Sequence, residues 1–337
     1  MSSNSNSIQN SAHLGVLLCN LGTPDAPTTA ALRRYLAEFL WDPRVVEIPR
    51  PLWWLILHGI ILRTRPQKSA EKYRSIWTEQ GSPLMVTARN QQQLLQNQLA
   101  ENLSRPVTVA LGMRYGTPSI SSALEELRSL GCDELVILPL YPQNSCSTTA
   151  STFDAIAKVF GRWRAVPNHT FISDYHTDER YIMALVASIE AQWEQAEPAE
   201  KLIFSFHGTP RFYRDKGDPY YDQCQQTAKA VAEKLKLDES RWQVTFQSRF
   251  GKAEWLKPYT DETLKQLAQN GVKSVDIISP GFSADCLETL EELGEENRQY
   301  FLEAGGESYN YIPALNDQPA HIEMMADLVR QSCREQI

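Results

Sequence analysis

His207 is the side chain in this sequence whose type and position best suit chemistry at neutral pH. It follows the apolar run 202–206 and precedes Gly208, Thr209 and Pro210, which predicts a histidine at the end of a buried strand, just before a turn. A neutral imidazole there can bind a metal or accept a proton near pH 7. The alternative is a histidine that only hydrogen-bonds the turn, and this segment alone leaves both open.

A run of acidic side chains follows another apolar segment. Glu288, Glu291, Glu292 and Glu295 recur at helical spacing, which predicts that they share one face of a helix. Asp285 and Glu288 also fit a capping box, an ordinary explanation that covers the first turn only. Because neighbouring carboxylates repel unless they are solvated or bind cations or protons, we favour a functional role for Glu288. Glu291, Glu292 and Glu295 form a candidate proton or metal relay, although a solvated helix face is the simpler explanation for Glu295.

Two further segments have both a functional and a structural explanation. The hydroxyl-rich loop 140–149, which includes Ser145, could bind a carboxylate at a helix N-terminus, but plain capping explains it more simply. The apolar segment 52–65 (the lip) contains Trp53 and Trp54 and ends in Arg63 and Arg65. It is either a core helix or a wall over a flat apolar ligand, with an arginine meeting the ligand's acidic groups.

Apolar runs alternate with amphipathic segments along the chain. Buried strands are predicted at 15–21, 107–113, 134–140, 201–206, 243–246, 275–279 and 309–313. Helices are predicted at 120–130, 220–237, 261–269 and 321–334. This alternation predicts an α/β fold with parallel sheets.

The two halves of the chain resemble each other. Residues 18–24 match 204–210, residues 113–116 match 248–251, and the spacing from Gly131 to Cys146 recurs between Gly271 and Cys286. These matches predict two related, doubly wound domains, 14–195 and 196–337, with a ligand cleft at the carboxyl ends of their strands. Leu21 and His207 would then occupy equivalent strand ends and face one ligand.

Composition excludes several classes of protein. The chain has 337 residues and a net charge of −8, which suits two globular domains and gives no general electrostatic reason to bind nucleic acid. Neither a dinucleotide-binding glycine motif nor a phosphate-binding loop follows any predicted strand. None of the six cysteines forms a CxxC pair. Scattered thiols, a polar N-terminal segment without a signal-peptide pattern and no apolar stretch of membrane-spanning length predict a cytoplasmic protein.

These segments together resemble the ferrochelatase family. The resemblance runs in order through nearly the whole chain, at 18–27, 73–76, 81–84, 113–115, 138–149, 205–210, 217–220, 246–251, 255–262 and 280–290. It implies two Rossmann-like domains around a porphyrin cleft, with the lip in the first domain and the metal-insertion residues in the second. His207 and Glu288 match the family's pair that contacts ferrous iron. Residues implied in substrate binding are Leu21, Arg114, Tyr115, Ser145 and Trp255.

The resemblance implies insertion of Fe²⁺ into protoporphyrin IX to form protohaem. Members that metallate coproporphyrin tend to carry tyrosine at the position of Leu21, whereas leucine offers only an apolar wall. An apolar lip also suits the vinyl groups of protoporphyrin better than the additional propionates of coproporphyrin. Three alternatives stay open: a coproporphyrin chelatase, a cobalt chelatase, and a tetrapyrrole or metal carrier without catalysis. The lip is also a candidate for peripheral membrane contact.

Animal-type family members hold an iron–sulfur cluster, and one of its ligands matches Cys146. Their other three ligands lie in a C-terminal extension, where this chain offers only Cys333. Because a cluster needs four thiolates, we expect none, and no cofactor beyond the substrate Fe²⁺. Protein purified without oxygen should therefore lack acid-labile sulfide and cluster absorbance. Sulfide in stoichiometric amounts would contradict this expectation.

Overall fold

A computed structural model describes residues 13–251 and 253–333. Two parallel four-stranded sheets form its framework, one in the order β2-β1-β3-β4 and the other in the order β6-β5-β7-β8. The strands are β1 (Leu14–Asn20), β2 (Val107–Met113), β3 (Glu134–Pro139), β4 (Asn168–Phe171), β5 (Lys201–His207), β6 (Trp242–Gln247), β7 (Ser274–Ile278) and β8 (Ser308–Ile312). The predicted α/β fold of two doubly wound units is confirmed.

Helices cover both sheets. The α-helices are α1 (Thr29–Trp41), α2 (Arg50–Ile56), α3 (Leu62–Ile76), α4 (Pro83–Asn102), α5 (Ile120–Ser129), α6 (Ser151–Phe160), α7 (Glu179–Gln195), α8 (Arg211–Asp215), α9 (Tyr220–Lys234), α10 (Thr260–Gln269), α11 (Arg298–Glu303) and α12 (Pro319–Ser332). Three π-helical segments, Leu57–Ile61, Cys146–Ala150 and Glu288–Asn297, lie within or before these helices. No helix among the described residues has the length and apolarity needed to cross a membrane.

All seven predicted strands are present, each within one residue of the predicted bounds. Sequence analysis missed β4, because this edge strand has a single apolar residue, Phe171, and its first three side chains are exposed. The predicted helices are also present. The one predicted at 321–334 corresponds to α12, which ends at Ser332, and position 334 lies outside the described residues.

Strand register tests the internal duplication. Leu18 pairs with Leu138 and Phe204 pairs with Ile278, so the first and third sequence matches hold. The middle match is wrong by two residues. Asn20 pairs with Met113 and Phe206 pairs with Phe246, so the counterpart of Met113 is Phe246 rather than Ser248. The connection after β6 is longer than the connection after β2, and its additional residues carry the similar Arg-x-Gly pattern.

The two sheets exchange their last helices. Helix α7 packs on α9 and β8, whereas α12 packs on α4 and β3. One apolar cluster therefore runs through both units, and it includes Leu18, Ile189, Phe204 and Met325. The division at 195, proposed from sequence, falls at the end of α7, and packing across it holds the two strand ends in a fixed relation.

Gly22, just after β1, provides a test of how closely the first unit is packed. Its φ is +107°, and an added Cβ would lie 1.8 Å from the carbonyl oxygen of Tyr115. Gly81 has a similar φ of +121° but open space around it. Gly81→Ala should cost about 1–3 kcal/mol of unfolding free energy from backbone strain alone. Gly22→Ala should cost about 1–3 kcal/mol more from overpacking. Denaturant titration measures both, and equal costs would contradict the contact.

Candidate active site

His207 is the last residue of β5, and its side chain is half-buried. Its Nδ1 lies 2.6 Å from the carbonyl oxygen of Gly208. Because a carbonyl can only accept, Nδ1 carries the hydrogen and the lone pair is on Nε2. No hydrogen bond to Nε2 is present among the described residues. Nδ1 thus hydrogen-bonds the turn, as expected for a histidine with a structural role. Nε2 is available to accept a proton or contact a metal.

Trp255 lies beside this turn. A Cβ at Gly208 would be 2.7 Å from the carbonyl oxygen of Gln247 and 3.2 Å from the indole of Trp255, so only glycine permits this approach. The indole Nε1 donates to the carbonyl of Phe250 at 2.7 Å. The Arg65 guanidinium, at the end of the lip, lies over the Phe250 ring at 4.4 Å from its centroid. A continuous set of contacts therefore joins the lip to the histidine.

Asp285 anchors the start of the helix that carries the acidic side chains, Glu288–Asn297 (the acidic helix). The capping-box explanation is wrong. The Asp285 carboxylate accepts hydrogen bonds from Tyr311 at 2.5 Å, Asn316 at 2.8 Å and Thr289 at 2.9 Å. The Asp285 amide donates to Asn316 Oδ1 rather than to Glu288. Asp285 thus ties this segment to β8 and the loop after it. The Glu288 side chain makes no capping hydrogen bond within the part of the chain that the structure describes.

The acidic segment Glu288–Asn297 is π-helical, which changes which carboxylates align. Hydrogen bonds in a π-helix span five residues instead of four, so the spacing that brings side chains together is longer than in an α-helix. Glu292 is half-buried and accepts from the Ser248 amide at 2.8 Å and from the Ser248 hydroxyl. Burial raises the pKa of Glu292, Glu288 raises it further, and Ser248 and His207 oppose the rise. Glu288, Glu292 and His207 therefore interact electrostatically.

The outer carboxylates have different surroundings. Glu291 and Glu296 both bind the Lys72 ammonium, at 3.0 and 2.9 Å. Glu295 is exposed and has no ion pair among the described residues. Sequence analysis proposed Glu291, Glu292 and Glu295 and missed Glu296, because nothing local in the sequence shows that Lys72 of α3 lies between Glu291 and Glu296.

Arg114 and Tyr115 surround a buried carboxylate, Asp42, which sequence analysis also missed. Tyr115 is fully buried, and its hydroxyl donates to Asp42 at 2.8 Å. Arg114 forms an ion pair with Asp42 and donates to Ser151 at 2.7 Å. Although burial raises the pKa of Asp42, hydrogen bonds from Ser151 and the Arg44 amide and the charge of Arg114 hold it below its usual range. Tyr115 thus has no surface free for a ligand and supports the cleft from behind.

Ser145 and Leu21 take different places near the cleft. Ser145 is buried, caps the segment Cys146–Ala150 and donates to Asp218 at 3.1 Å. The Cys146 amide donates to the same carboxylate at 2.7 Å. This loop therefore joins the two units and leaves the Ser145 side chain no free surface. Leu21 is half-buried just after β1 and packs on the apolar cluster beneath the lip.

Comparison with known proteins gives the family. The ferrochelatase family model matches residues 13–333. The chain belongs to the ferrochelatase family. The ferrochelatase of Marinobacter nauticus is 56% identical, covering 97% of this chain and 90% of that protein. The ferrochelatase of Thioalkalivibrio sulfidiphilus is 58% identical over 94% of this chain and 86% of that protein. The ferrochelatase of Shewanella denitrificans is 55% identical, covering 94% of this chain and 96% of that protein.

Solved structures support the fold of this ferrochelatase-family chain. SirB from Bacillus subtilis with Fe³⁺ superposes with a TM-score of 0.56 at 12% identity, covering 95% of each chain. The sirohydrochlorin chelatase SirB from Bacillus subtilis subspecies spizizenii with cobalt gives a TM-score of 0.55 at 10% identity, covering 95% of this chain and 94% of that one. At these identities the similarity concerns the fold alone.

The lip of this family member has two different faces. Trp53 is 3% exposed, and its Nε1 donates to the Leu40 carbonyl at 2.7 Å. Trp54 is 52% exposed and Leu55 is 62% exposed. The sequence offered two explanations for the lip, a core helix and an exposed wall, and each describes one face of the segment. Trp53 lies on the face that packs in the core.

Within the described ranges, no three His, Cys, Asp or Glu side chains are arranged to hold a metal ion. His207 and Glu288 are therefore candidates for contact with a substrate ion. They do not form a complete ligand set by themselves.

Proposed function

We propose that this protein is a ferrochelatase, a lyase that inserts Fe²⁺ into protoporphyrin IX to form protohaem, the last step of haem biosynthesis. The observation that carries the proposal is the free Nε2 of His207 at the end of β5. It lies next to the end of β6, where Gln247 donates to the Glu288 carbonyl at 2.7 Å and the Ser248 amide donates to Glu292 at 2.8 Å. Family membership supports the reaction type. No cofactor other than the substrate ion is proposed.

The reaction requires two pyrrole protons to leave as one Fe²⁺ enters, so charge is conserved at the ring. A flat porphyrin hides its nitrogen lone pairs, and binding energy from the rest of the macrocycle must bend it. His207 Nε2 accepts a pyrrole proton or contacts the ion, and Glu288 balances the charge. Because burial raises the pKa of Glu292, this carboxyl group can hold a proton at a higher pH than an exposed glutamate and pass it outward.

Arg65 is the better candidate of the two lip arginines for binding a porphyrin propionate. It is half-buried, whereas Arg63 is exposed, and burial lowers the pKa of Arg65. No carboxylate pairs with it among the described residues. A desolvated guanidinium without an anion gains free energy from a carboxylate ligand.

The ion-insertion assay tests the reaction directly. Purified protein, porphyrin and Fe²⁺ or Zn²⁺ should give the metalloporphyrin spectrum. His207→Ala should lower kcat by about 100-fold or more while porphyrin still binds. Glu288→Gln should also lower activity, because it removes the charge but keeps the shape. His169→Ala, on the exposed edge strand β4, serves as the control.

Three outcomes would contradict this mechanism or the function. Near-normal turnover in His207→Ala would exclude it as base or metal contact. Wild-type protein that binds porphyrin without forming the metalloporphyrin would be a carrier. A higher kcat/KM with Co²⁺ than with Fe²⁺ would indicate a cobalt chelatase.

Porphyrin choice is a separate proposal that rests on Leu21 and the apolar lip. Leu21 and the apolar side chains of the lip offer no partner for the two additional propionates of coproporphyrin, whose burial without partners is unfavourable. We propose protoporphyrin IX as the substrate. The test is to measure kcat/KM for protoporphyrin IX and for coproporphyrin III under the same conditions. A higher kcat/KM for coproporphyrin III would overturn the choice of substrate and leave the chelatase function intact.

We also propose a cytoplasmic protein whose lip touches an anionic membrane surface. All six cysteines are free, which fits a reducing compartment. Residues 29–76 carry nine basic and four acidic side chains in a chain of net charge −8. Exposed Leu52, Trp54, Leu55 and Ile60 lie in the same segment. Basic charge beside exposed apolar side chains favours binding at an anionic lipid interface.

Trp53 and Trp54 form a matched pair for testing the lip. Trp54→Ala should weaken sedimentation with phosphatidylserine-containing vesicles and raise KM for porphyrin, with little loss of stability. Trp53→Ala should instead lower unfolding free energy by about 3–5 kcal/mol, because it opens a cavity in the core. If Trp54→Ala destabilised the fold and left both binding measurements unchanged, the lip would be only a core element.

A further inference from the structure

Lys72 joins the helix that begins in the lip to the acidic helix of the other unit. It lies on α3, and its ammonium is 3.0 Å from Glu291 and 2.9 Å from Glu296 on the π-helix Glu288–Asn297. More than two hundred residues separate the partners along the chain. The two ion pairs therefore connect the two units at this point.

The carboxylate partners of Lys72 are positioned by other contacts, but the ion pairs themselves are weak enough to break. The Tyr300 hydroxyl donates to Glu296 at 2.7 Å, which fixes one acceptor. Burial by itself lowers the pKa of Lys72, but the two carboxylates outweigh burial and raise it, so the lysine stays charged. The lysine side chain is 47% exposed. Ion pairs with this exposure change an equilibrium constant only about two- to fivefold, which suits a contact that forms and breaks during turnover.

The backbone before Lys72 offers places to bend. Leu57–Ile61 is a π-helical turn that contains Gly59, and Pro66 lies inside α3. Both features remove regular helical hydrogen bonds and are typical of helix bends. The outer face of the lip is exposed, whereas its inner face packs on the core through Trp53 and Leu57. Leu287, just before the acidic helix, packs on Tyr73 beside the lysine, so α3 meets the other unit again at this point.

We propose that Lys72 is a positioning residue that latches α3, and with it the lip, against the acidic helix. With the lip closed, the ammonium bridges Glu291 and Glu296. Opening of the lip for porphyrin entry or release separates the ammonium from both carboxylates. Opening for the macrocycle thereby leaves the Glu291 and Glu296 carboxylates without their cationic partner. The inference rests on the proposed function only in taking a porphyrin as the ligand of the cleft.

Hydrogen exchange of the ligand-free protein tests the latch without using activity. Lys72→Met keeps the length of the side chain and removes its charge, and exchange of amides in 57–76 should become about two- to fivefold faster. Lys72→Arg should restore wild-type exchange. Lys68→Met is the matched control, since Lys68 lies exposed on the same helix with no ion pair among the described residues, and it should change nothing.

Release of metal-free protoporphyrin IX provides the second readout. Its dissociation rate should rise about two- to fivefold in Lys72→Met. Raising salt from about 0.05 M to about 0.5 M should speed release from the wild type but not from Lys72→Met, because only the wild type has an ion pair to screen. Unchanged exchange and release in Lys72→Met, or equal changes in Lys68→Met, would overturn the latch. A protein that inserts no metal would contradict the proposed function and leave the exchange result standing.

Discussion

Exchange of helices between the two sheets is the constraint on which the cleft depends. Each sheet buries a helix that the chain adds at the end of the other unit, α7 on β8 and α12 on β3. Burial of apolar surface is the main stabilising term in such packing, so the units cannot separate without exposing a shared core. The carboxyl ends of β1 and β5 are consequently held in a fixed relation, which a site built from both units requires.

Within this frame the two halves are alike in backbone and unlike in chemistry. The counterpart of His207 is Leu21. At the offset of 140 that the register of β3 and β7 supports, the counterparts of Glu288 and Glu292 are Thr148 and Thr152. His207, Glu288 and Glu292 thus have no ionisable counterparts in the first unit, which supplies apolar surface, the lip and the Asp42 network. A flat ligand between them would meet a proton-accepting side and an apolar side, which fits a reaction that removes protons from one face of a bent macrocycle.

Buried polar anchors keep the reactive side chains in place. Asp285 uses hydrogen bonds from β8 and the following loop to fix the start of the acidic helix, and Asp42 holds Arg114, Tyr115 and Ser151 behind the cleft. A buried carboxylate with several donors is costly to disturb, because removing one partner leaves a charge unsatisfied. These residues support the site without touching the reacting atoms. Lys72, by contrast, is half-exposed, and its ion pairs with Glu291 and Glu296 join α3 to the acidic helix of the other unit.

The sequence by itself determined the strands, the parallel fold, His207 and the acidic run, because buried strands are continuous apolar segments and a strand-end histidine before a glycine is visible in one dimension. It did not reveal β4, whose exposed residues lack a pattern, or the register of the middle repeat, since loop length does not alter local motifs. Only the tertiary structure decided that Tyr115 and Ser145 are buried supports, that Asp285 is an anchor instead of a cap, and that Glu296 shares Lys72 with Glu291. Each of these depends on partners distant in sequence or on the π-helical backbone. Local spacing carries no information about either, because the free energy that selects them comes from contacts between segments that are far apart along the chain.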